Sequence, residues 1–258
     1  MNAAGQRPLA GAHVVITRPA GDGAALAQRI RALGGVPLRL PGSSLRAAPD
    51  AAAARATLVA ALRGAALVFV SPAAVRFAAR LAPLRPAHAT RVLAVGQATA
   101  RALLRHGVPD VSVPRRQDSE GLLELAPLDA PRGRAVALVG AGGGRGLLQR
   151  QLLARGAALR EVEVYRRRPA RLDARHLAPL AAARDPLYLL LSSAEALNHL
   201  RAALPPPAWA RLLCATAVVS SERLAAAARV AGFVRVRVAA SALAADLLAA
   251  ATAAHAQR

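Results

Sequence analysis

RAVALVGAGGGRGLLQRQLLARGAALREVEVYRRRP, residues 134–169, is the stretch that decides the fold of this chain. It opens with an apolar run, Ala135 to Val139, that meets a cluster of glycines; leucines then recur at helical spacing until Gly156. A second β-rich run covers residues 162–165. Strand, glycine-rich turn, helix and strand in this length predict a βαβ unit, and therefore a parallel sheet covered by helices. Such a turn presents backbone N–H groups at a helix N-terminus, where anions bind.

A second pattern is an internal duplication on either side of this unit. Apolar β-type runs alternate with helical patterns in the same order twice, and the positions where strand gives way to helix are similarly spaced. In the first copy these positions are Ser71, Gly96 and Ser119, and in the second they are Ser192-Ser193, Ser220-Ser221 and Ser241. The repetition predicts two domains of one α/β architecture.

The two copies are incomplete in complementary ways. The N-terminal strand–helix pattern, residues 13–38, has no further strands of its own, whereas the last repeat has no opening strand and helix. We therefore expect one discontinuous domain from residues 1–40 and 168–258 and a second from residues 45–162, with connectors at 36–47 and 163–170. The prolines of residues 36–47 favour a connection over a core strand.

The charge of the chain is strongly positive. The 258 residues carry a formal charge of +21, from 35 basic and 14 acidic residues, and every basic residue is Arg. A basic chain attracts polyanions, either nucleic acid or a small polycarboxylate or phosphate. Three Phe, two Tyr and one Trp are too few for a base-stacking platform, so we expect no nucleic-acid partner.

Composition also predicts the cellular setting. The N-terminal residues MNAAGQRPLAGAH contain no apolar core of a signal peptide, and no apolar run reaches the ~18 residues of a spanning helix. The single cysteine, Cys214, excludes an internal disulfide and lies in an apolar run, which predicts a buried, inert thiol. We expect a cytoplasmic protein that does not associate with a membrane.

Taken together, the motifs resemble the uroporphyrinogen-III synthase family. The matching segments, in the family's order, are ITRP (16–19), FVSPAAV (69–75), VLAVGQATARAL (92–103), DSEGLL (118–123), LVGAGGGR (138–145), LLLSSAEAL (189–197) and VVSSERLA (218–225). No single segment is specific, but the set spans nearly the whole chain. The resemblance implies two similar, flavodoxin-like, parallel-sheet α/β domains joined by an extended two-stranded connector, with the chain crossing out and back.

The resemblance also implies a reaction. A cyclising lyase of tetrapyrrole (haem) biosynthesis would convert linear hydroxymethylbilane to uroporphyrinogen III, with loss of water and inversion of the terminal pyrrole ring. It implies no metal or organic cofactor, a monomer, and at most a transient contact with the preceding bilane-forming enzyme. The alternative is a hinged two-lobe module that binds a small anion without catalysis.

Tyr165 is the candidate catalytic residue, since the family places a Tyr at this position. A phenol near the leaving hydroxyl would donate a hydrogen bond or proton as the carbon–oxygen bond breaks. The other interpretation is an amphipathic Tyr at a strand end with its hydroxyl in water. If the phenol assists, its loss slows the enzyme without abolishing turnover.

The turns after the strands supply the candidate substrate contacts, because a polycarboxylate needs N–H donors, hydroxyls and positive charge. The candidates are Thr17, Arg18, Ser71, Gly96, Thr99, Ser119, Gly140, Arg145, Ser192, Ser193, Ser220, Ser221 and Arg223. Each hydroxyl has an alternative role as a helix N-cap, and each arginine as part of a solvated face. The six histidines show no metal-ligand spacing.

Overall fold

A computed structural model describes residues 7–142 and 146–258 of the chain. These residues form two compact units. The first contains the described residues up to Leu45 together with Arg168–Arg258, and the second is Arg46–Arg167. Among the described residues, no helix combines the length and apolar character that a membrane crossing requires.

Ten strands and twelve helices make up the described part of the chain. The elements up to residue 129 are β1 (His13–Ile16), α1 (Ala24–Ala32), β2 (Val36–Arg39), β3 (Ser43–Ala47), α2 (Ala51–Ala61), β4 (Ala66–Phe69), α3 (Pro72–Leu81), β5 (Arg91–Ala94), α4 (Gln97–Arg105), α5 (Ser119–Leu123) and α6 (Ala126–Asp129). The later elements are β6 (Ala135–Ala141), α7 (Leu147–Ala154), β7 (Ala158–Pro169), α8 (Ala174–Ala181), β8 (Leu187–Leu191), α9 (Ala194–Ala203), α10 (Pro206–Leu213), β9 (Thr216–Val219), α11 (Glu222–Val230), β10 (Val236–Val238) and α12 (Ala244–Ala256).

The sheet of the first unit combines the beginning of the chain with its end. Its strand order is β10-β9-β8-β1-β2, and β1 pairs in parallel with β8, with His13 opposite Leu187. Alternate residues of β8 enter different cores: Leu189 packs on one face of the sheet, and Tyr188 and Leu190 on the other. Because both faces are covered, the strand is apolar throughout, as parallel strands usually are.

The sheet of the second unit has the order β3-β7-β6-β4-β5. The βαβ unit that the sequence predicts is β6–α7–β7, and β6 pairs in parallel with both β4 and β7. Beyond β5, Leu93 forms a parallel bridge with Ser112. Thus β6 and β7 take the places in this sheet that β1 and β2 take in the first. The α/β class with parallel-sheet domains is confirmed.

Three details of the sequence prediction are wrong. Residues 36–39 are not a connection but the edge strand β2, where Pro37 is tolerated because an edge strand has one side without a partner. The run Val111–Val113, which its β-type residues predict to be a strand preceding the turn at Ser119, forms only the bridge at Ser112. Cys214 is exposed rather than buried, because the apolar run around it spans the end of α10 and the turn into β9.

Candidate functional site

Tyr165 is buried within the second unit, and two contacts hold its side chain in place. Only 2% of the residue is exposed. Its ring stacks on Phe77, with ring centroids 5.3 Å apart and an interplanar angle of 24°. Its hydroxyl oxygen lies 3.3 Å from Oγ of Ser71. The structure therefore fixes both the plane of the phenol and the position of its oxygen, unlike a strand-end tyrosine whose hydroxyl is in water.

A β-bulge brings Tyr165 to this position. Glu163 lies opposite Gly140, but Tyr165 lies opposite the very next residue of β6, Ala141, so Val164 is the additional residue. Bulges redirect side chains in this way and are common beside functional sites. Gly140 allows the backbone of β6 to lie close to Val70, since a Cβ at position 140 would be only 2.6 Å from Cγ2 of Val70.

Ser71 joins the tyrosine to a helix N-terminus. Its Oγ accepts a hydrogen bond from the backbone N–H of Ala74 at 3.0 Å and so caps α3. A hydroxyl that accepts from the helix still has its own proton to donate. When that proton is donated to the phenol oxygen of Tyr165, the phenol proton remains available for a bound molecule.

A pocket of about 470 Å³ opens beside Tyr165, where the carboxyl end of β6 meets the start of α7. Of the candidate contacts, Ser119 and Gly140 line it. Three charged residues that sequence reasoning missed also line it: Glu161, Glu163 and Arg167. The two-residue period of a strand does not identify them, because the bulge at Val164 interrupts that period between Glu163 and Tyr165.

Ser119 follows the capping residue Asp118, whose carboxylate accepts a hydrogen bond from the N–H of Gly121 at 2.8 Å. The Nε of Arg116 lies 2.6 Å from the same carboxylate. Partial burial acts to raise the pKa of Asp118, but the hydrogen bonds from Gly121 and Arg116 outweigh it and lower that pKa below its ordinary value. Asp118 therefore stays ionised at the start of α5, next to the pocket.

The first unit has a polar pocket of its own, of about 390 Å³, where β8 and β9 give way to helices. Five candidate contacts line it: Ser192, Ser193, Ser220, Ser221 and Arg223. Ser193 caps α9 and Ser221 caps α11, each accepting a backbone N–H at 3.3 Å. Glu195 also lines this pocket, and its charge is balanced by that of Arg223. The two helix N-termini and the serine hydroxyls add the N–H and O–H donors that a carboxylate or phosphate needs.

The remaining candidates lie elsewhere. Thr17 is buried and donates to the carbonyl of Leu190 at 2.8 Å, and Arg18 reaches the carbonyl of Ala242 at 3.3 Å. Gly96 precedes α4, whose first N–H donates to the side chain of Gln117. Thr99 is 1% exposed, and Arg145 lies outside the described residues. Within the described ranges, no group of three or more His, Cys, Asp or Glu residues is arranged to hold a metal ion.

Comparison with known proteins gives a consistent family. The family model described as uroporphyrinogen-III synthase HemD matches residues 24–249. Among curated proteins, the chain is 34% identical to the uroporphyrinogen-III synthase of Salmonella typhimurium (strain LT2) over 238 residues, 88% of this chain and 94% of that protein. It is 32% identical to the Escherichia coli (strain K12) enzyme of the same name over the same shares.

Solved structures show the same fold. A mutant uroporphyrinogen III synthase from the extremely thermophilic bacterium Thermus thermophilus superimposes with a TM-score of 0.61 at 22% identity, covering 96% of this chain and 100% of the other. The uroporphyrinogen-III synthetase of Helicobacter pylori 26695 gives a TM-score of 0.59 at 15% identity, covering 95% of this chain and 99% of the other. At these identities the likeness concerns architecture rather than individual site residues.

Proposed function

The chain belongs to the uroporphyrinogen-III synthase family, and on this premise we propose how its own residues carry out the reaction. The activity is that of an enzyme of tetrapyrrole biosynthesis, a lyase that closes hydroxymethylbilane to uroporphyrinogen III. The family match over most of the chain is the observation that carries this conclusion. It does not favour the alternative, an anion-binding module without catalysis.

Tyr165 assists departure of the hydroxyl group. Supporting this role, the phenol oxygen lies 3.3 Å from Ser71 and the residue lines the pocket beside β6. With the Ser71 proton donated to the phenol oxygen, the phenol proton is directed to the leaving oxygen, which departs as water. Much of the remaining barrier is the positioning of a long, reactive chain so that the correct ring carbon is attacked.

The substrate's acetate and propionate groups need hydrogen-bond donors. In the first unit, Ser192, Ser193, Ser220, Ser221 and Arg223 bind such carboxylates, a role supported by their shared pocket at two helix N-termini. Thr17, Arg18, Gly96, Thr99, Ser119, Gly140 and Arg145 remain further candidates for contact with the bilane.

The setting of the enzyme is also part of the proposal. It works as a cytoplasmic monomer without a metal or organic cofactor, and it receives the bilane from the preceding enzyme through a transient contact. A single cysteine among 258 residues suits a reducing compartment. The two units divide near the proposed domain limits, residues 1–40 with 168–258 and residues 45–162, which supports that domain assignment.

A coupled assay tests the function. Freshly generated hydroxymethylbilane is given to the purified protein, the product is oxidised, and the type I and type III uroporphyrin isomers are resolved. We expect type III above the control without enzyme. If a folded, monodisperse protein yields only the type I isomer that forms spontaneously, the synthase assignment fails for this chain.

A further inference from the structure

The described residues that line the pocket beside Tyr165 include more acidic than basic side chains. The protein carries a formal charge of +21 and only 14 acidic residues. Nevertheless two of those acidic residues, Glu161 and Glu163, line this pocket, and Arg167 is the one basic residue among the described residues of the lining. A carboxylate beside another carboxylate is repelled rather than bound. These glutamates therefore suit a part of the substrate that donates hydrogen bonds or carries positive charge.

Glu163 is the better placed of the two. Its Oε1 accepts from Nε of Arg166 at 2.7 Å, which fixes one end of the carboxylate. Its Oε2 lies against Gly142, where any Cβ would overlap it. About a third of the side chain, 35%, is exposed. It is thus held on β7 two residues before Tyr165, with part of its surface facing the same pocket.

We propose that Glu163 accepts a hydrogen bond from the pyrrole N–H of the ring that loses its hydroxyl group, and stabilises the positive charge that develops on that ring. This inference rests on the synthase activity proposed above. The hydrogen-bond donors of the bilane are its pyrrole N–H groups and its hydroxyl, and of these only the N–H of the reacting ring gains positive charge as the hydroxyl leaves. A carboxylate facing an N–H that becomes cationic interacts more strongly in the transition state than in the ground state, which is what catalysis requires.

Atoms and charge balance in this step. The pyrrole nitrogen lone pair moves into the ring, a double bond forms to the exocyclic carbon, and the carbon–oxygen bond breaks with its electron pair on oxygen. The oxygen takes the Tyr165 proton and leaves as water. The ring is then an azafulvenium cation whose N–H remains bonded to Glu163. When the cyclised ring later loses a carbon-bound proton, aromaticity returns and a proton is available to restore the phenol.

The test uses three single variants of the full chain. Glu163→Gln keeps the size of the side chain and removes its charge. Arg166→Met keeps the negative charge of Glu163 but removes the salt bridge that fixes one end of its carboxylate. Glu124→Gln, at the exposed end of α5, controls for loss of one acidic charge in the same unit. For each, kcat and KM for type III formation are measured, together with the Kd for uroporphyrinogen III.

We expect Glu163→Gln to lower kcat about 100-fold, the lower end of the loss found when one group that stabilises transition-state charge is removed. The KM and the product Kd should change less than about fivefold, because the amide oxygen still accepts the hydrogen bond in the ground state. Glu124→Gln should keep kcat within about threefold of the wild type, as expected of an exposed charge. Arg166→Met should lower kcat less than Glu163→Gln does, because the carboxylate loses one restraint but keeps its charge.

The outcomes separate this inference from the function on which it rests. If the wild type forms no type III product, the synthase assignment fails. If the wild type is active and Glu163→Gln matches it in kcat, or if Glu124→Gln loses as much kcat as Glu163→Gln, the role of the carboxylate is overturned. As a second route, Gly142→Ala should displace the Glu163 carboxylate and lower kcat in the same direction.

Discussion

The stacking of Tyr165 on Phe77 and its contact with Ser71 restrict a side chain that would otherwise rotate. A fixed phenol loses little conformational entropy when substrate arrives, so its hydrogen bond is available to the transition state. Because the ring is packed in this way, it also contributes to the stability of the second unit. A variant must therefore retain the ring if it is to report on the hydroxyl alone.

Tyr165→Phe retains the ring and its stacking. We expect kcat to fall about 10- to 100-fold, because a proton or hydrogen-bond donor to the leaving group is lost while positioning is kept. Thermal stability should change little, since about 1 kcal/mol is associated with a single hydrogen bond. Steady-state kinetics of type III formation and a melting curve measure both. Complete loss of turnover would make the phenol an obligatory acid, and unchanged kcat would remove it from the mechanism.

Replacing Ser71 should lower both kcat and the stability of the fold. Ser71→Ala removes the cap of α3, at about 1 kcal/mol, and leaves Tyr165 without its partner, so we expect kcat to fall about five- to tenfold. Ser71→Thr, which keeps the hydroxyl, should restore both.

Asp50→Ala is the matched control for Ser71→Ala, because Asp50 caps α2 through the N–H of Ala53 at 2.8 Å and lies outside the site. It should lose similar stability and keep kcat. If Ser71→Ala loses stability alone, Ser71 is only a cap.

At the residue scale, sequence reasoning found Tyr165 and Ser71 separately but not their contact. The serine is 94 positions away along the chain, and a residue pattern carries no distance between them. Glu163 was missed for another reason: a glutamate on a strand next to arginines is typical of a solvated face. Only the pocket shows that it faces the same space as the phenol.

The element that contributes most to the site is β6–α7–β7. Gly140 allows β6 to pass close to Val70 at the end of β4, and the bulge opposite Gly140 turns Tyr165 inward. The strand and the helix were predictable from apolar runs, whereas residues 143–145 of the predicted glycine-rich turn lie outside the described residues. The bulge was not predictable, because it depends on how two strands pair rather than on either strand alone. The edge position of β2, which makes Pro37 acceptable, depends on pairing in the same way.

Gly140→Ala tests the close approach of the strands. A Cβ 2.6 Å from Cγ2 of Val70 must displace that side chain or the strand, and we expect about 1 to 3 kcal/mol of destabilisation. Chemical denaturation measures this loss. The double variant Gly140→Ala with Val70→Ala should lose less than the sum of the two single variants, because Val70→Ala removes the clashing methyl group. Additive losses would contradict the contact.

At the scale of the whole molecule, the positive charge is a long-range property. A net charge of +21 attracts a polycarboxylate before any specific contact forms, and mobile ions screen that attraction. Composition alone predicts this attraction. It did not indicate that the pocket beside Tyr165 would contain two glutamates, because net charge says nothing about where the few acidic residues lie.

Ionic strength should therefore act on KM rather than on kcat. Between about 50 and 300 mM salt we expect KM for hydroxymethylbilane to rise several-fold, because the Debye length shortens across this range. Arg223→Gln should raise KM and flatten this dependence, whereas Arg55→Gln on the exposed side of α2 should leave KM near the wild-type value. A kcat that falls with salt at constant KM would contradict electrostatic capture.

The pairing of β3 with β7 has a consequence for engineering of the chain. Ser44 Oγ lies 3.4 Å from the carbonyl oxygen of Pro169, and the backbone N of Ala48 lies 3.3 Å from the carbonyl oxygen of Val164. The chain thus leaves the first unit and returns to it through neighbouring strands. The segment of residues 46–167 therefore starts in one of two paired strands, β3, and ends in the other, β7. A short turn between Leu45 and Arg168 should permit its excision, so that each half can be produced as a protein in its own right.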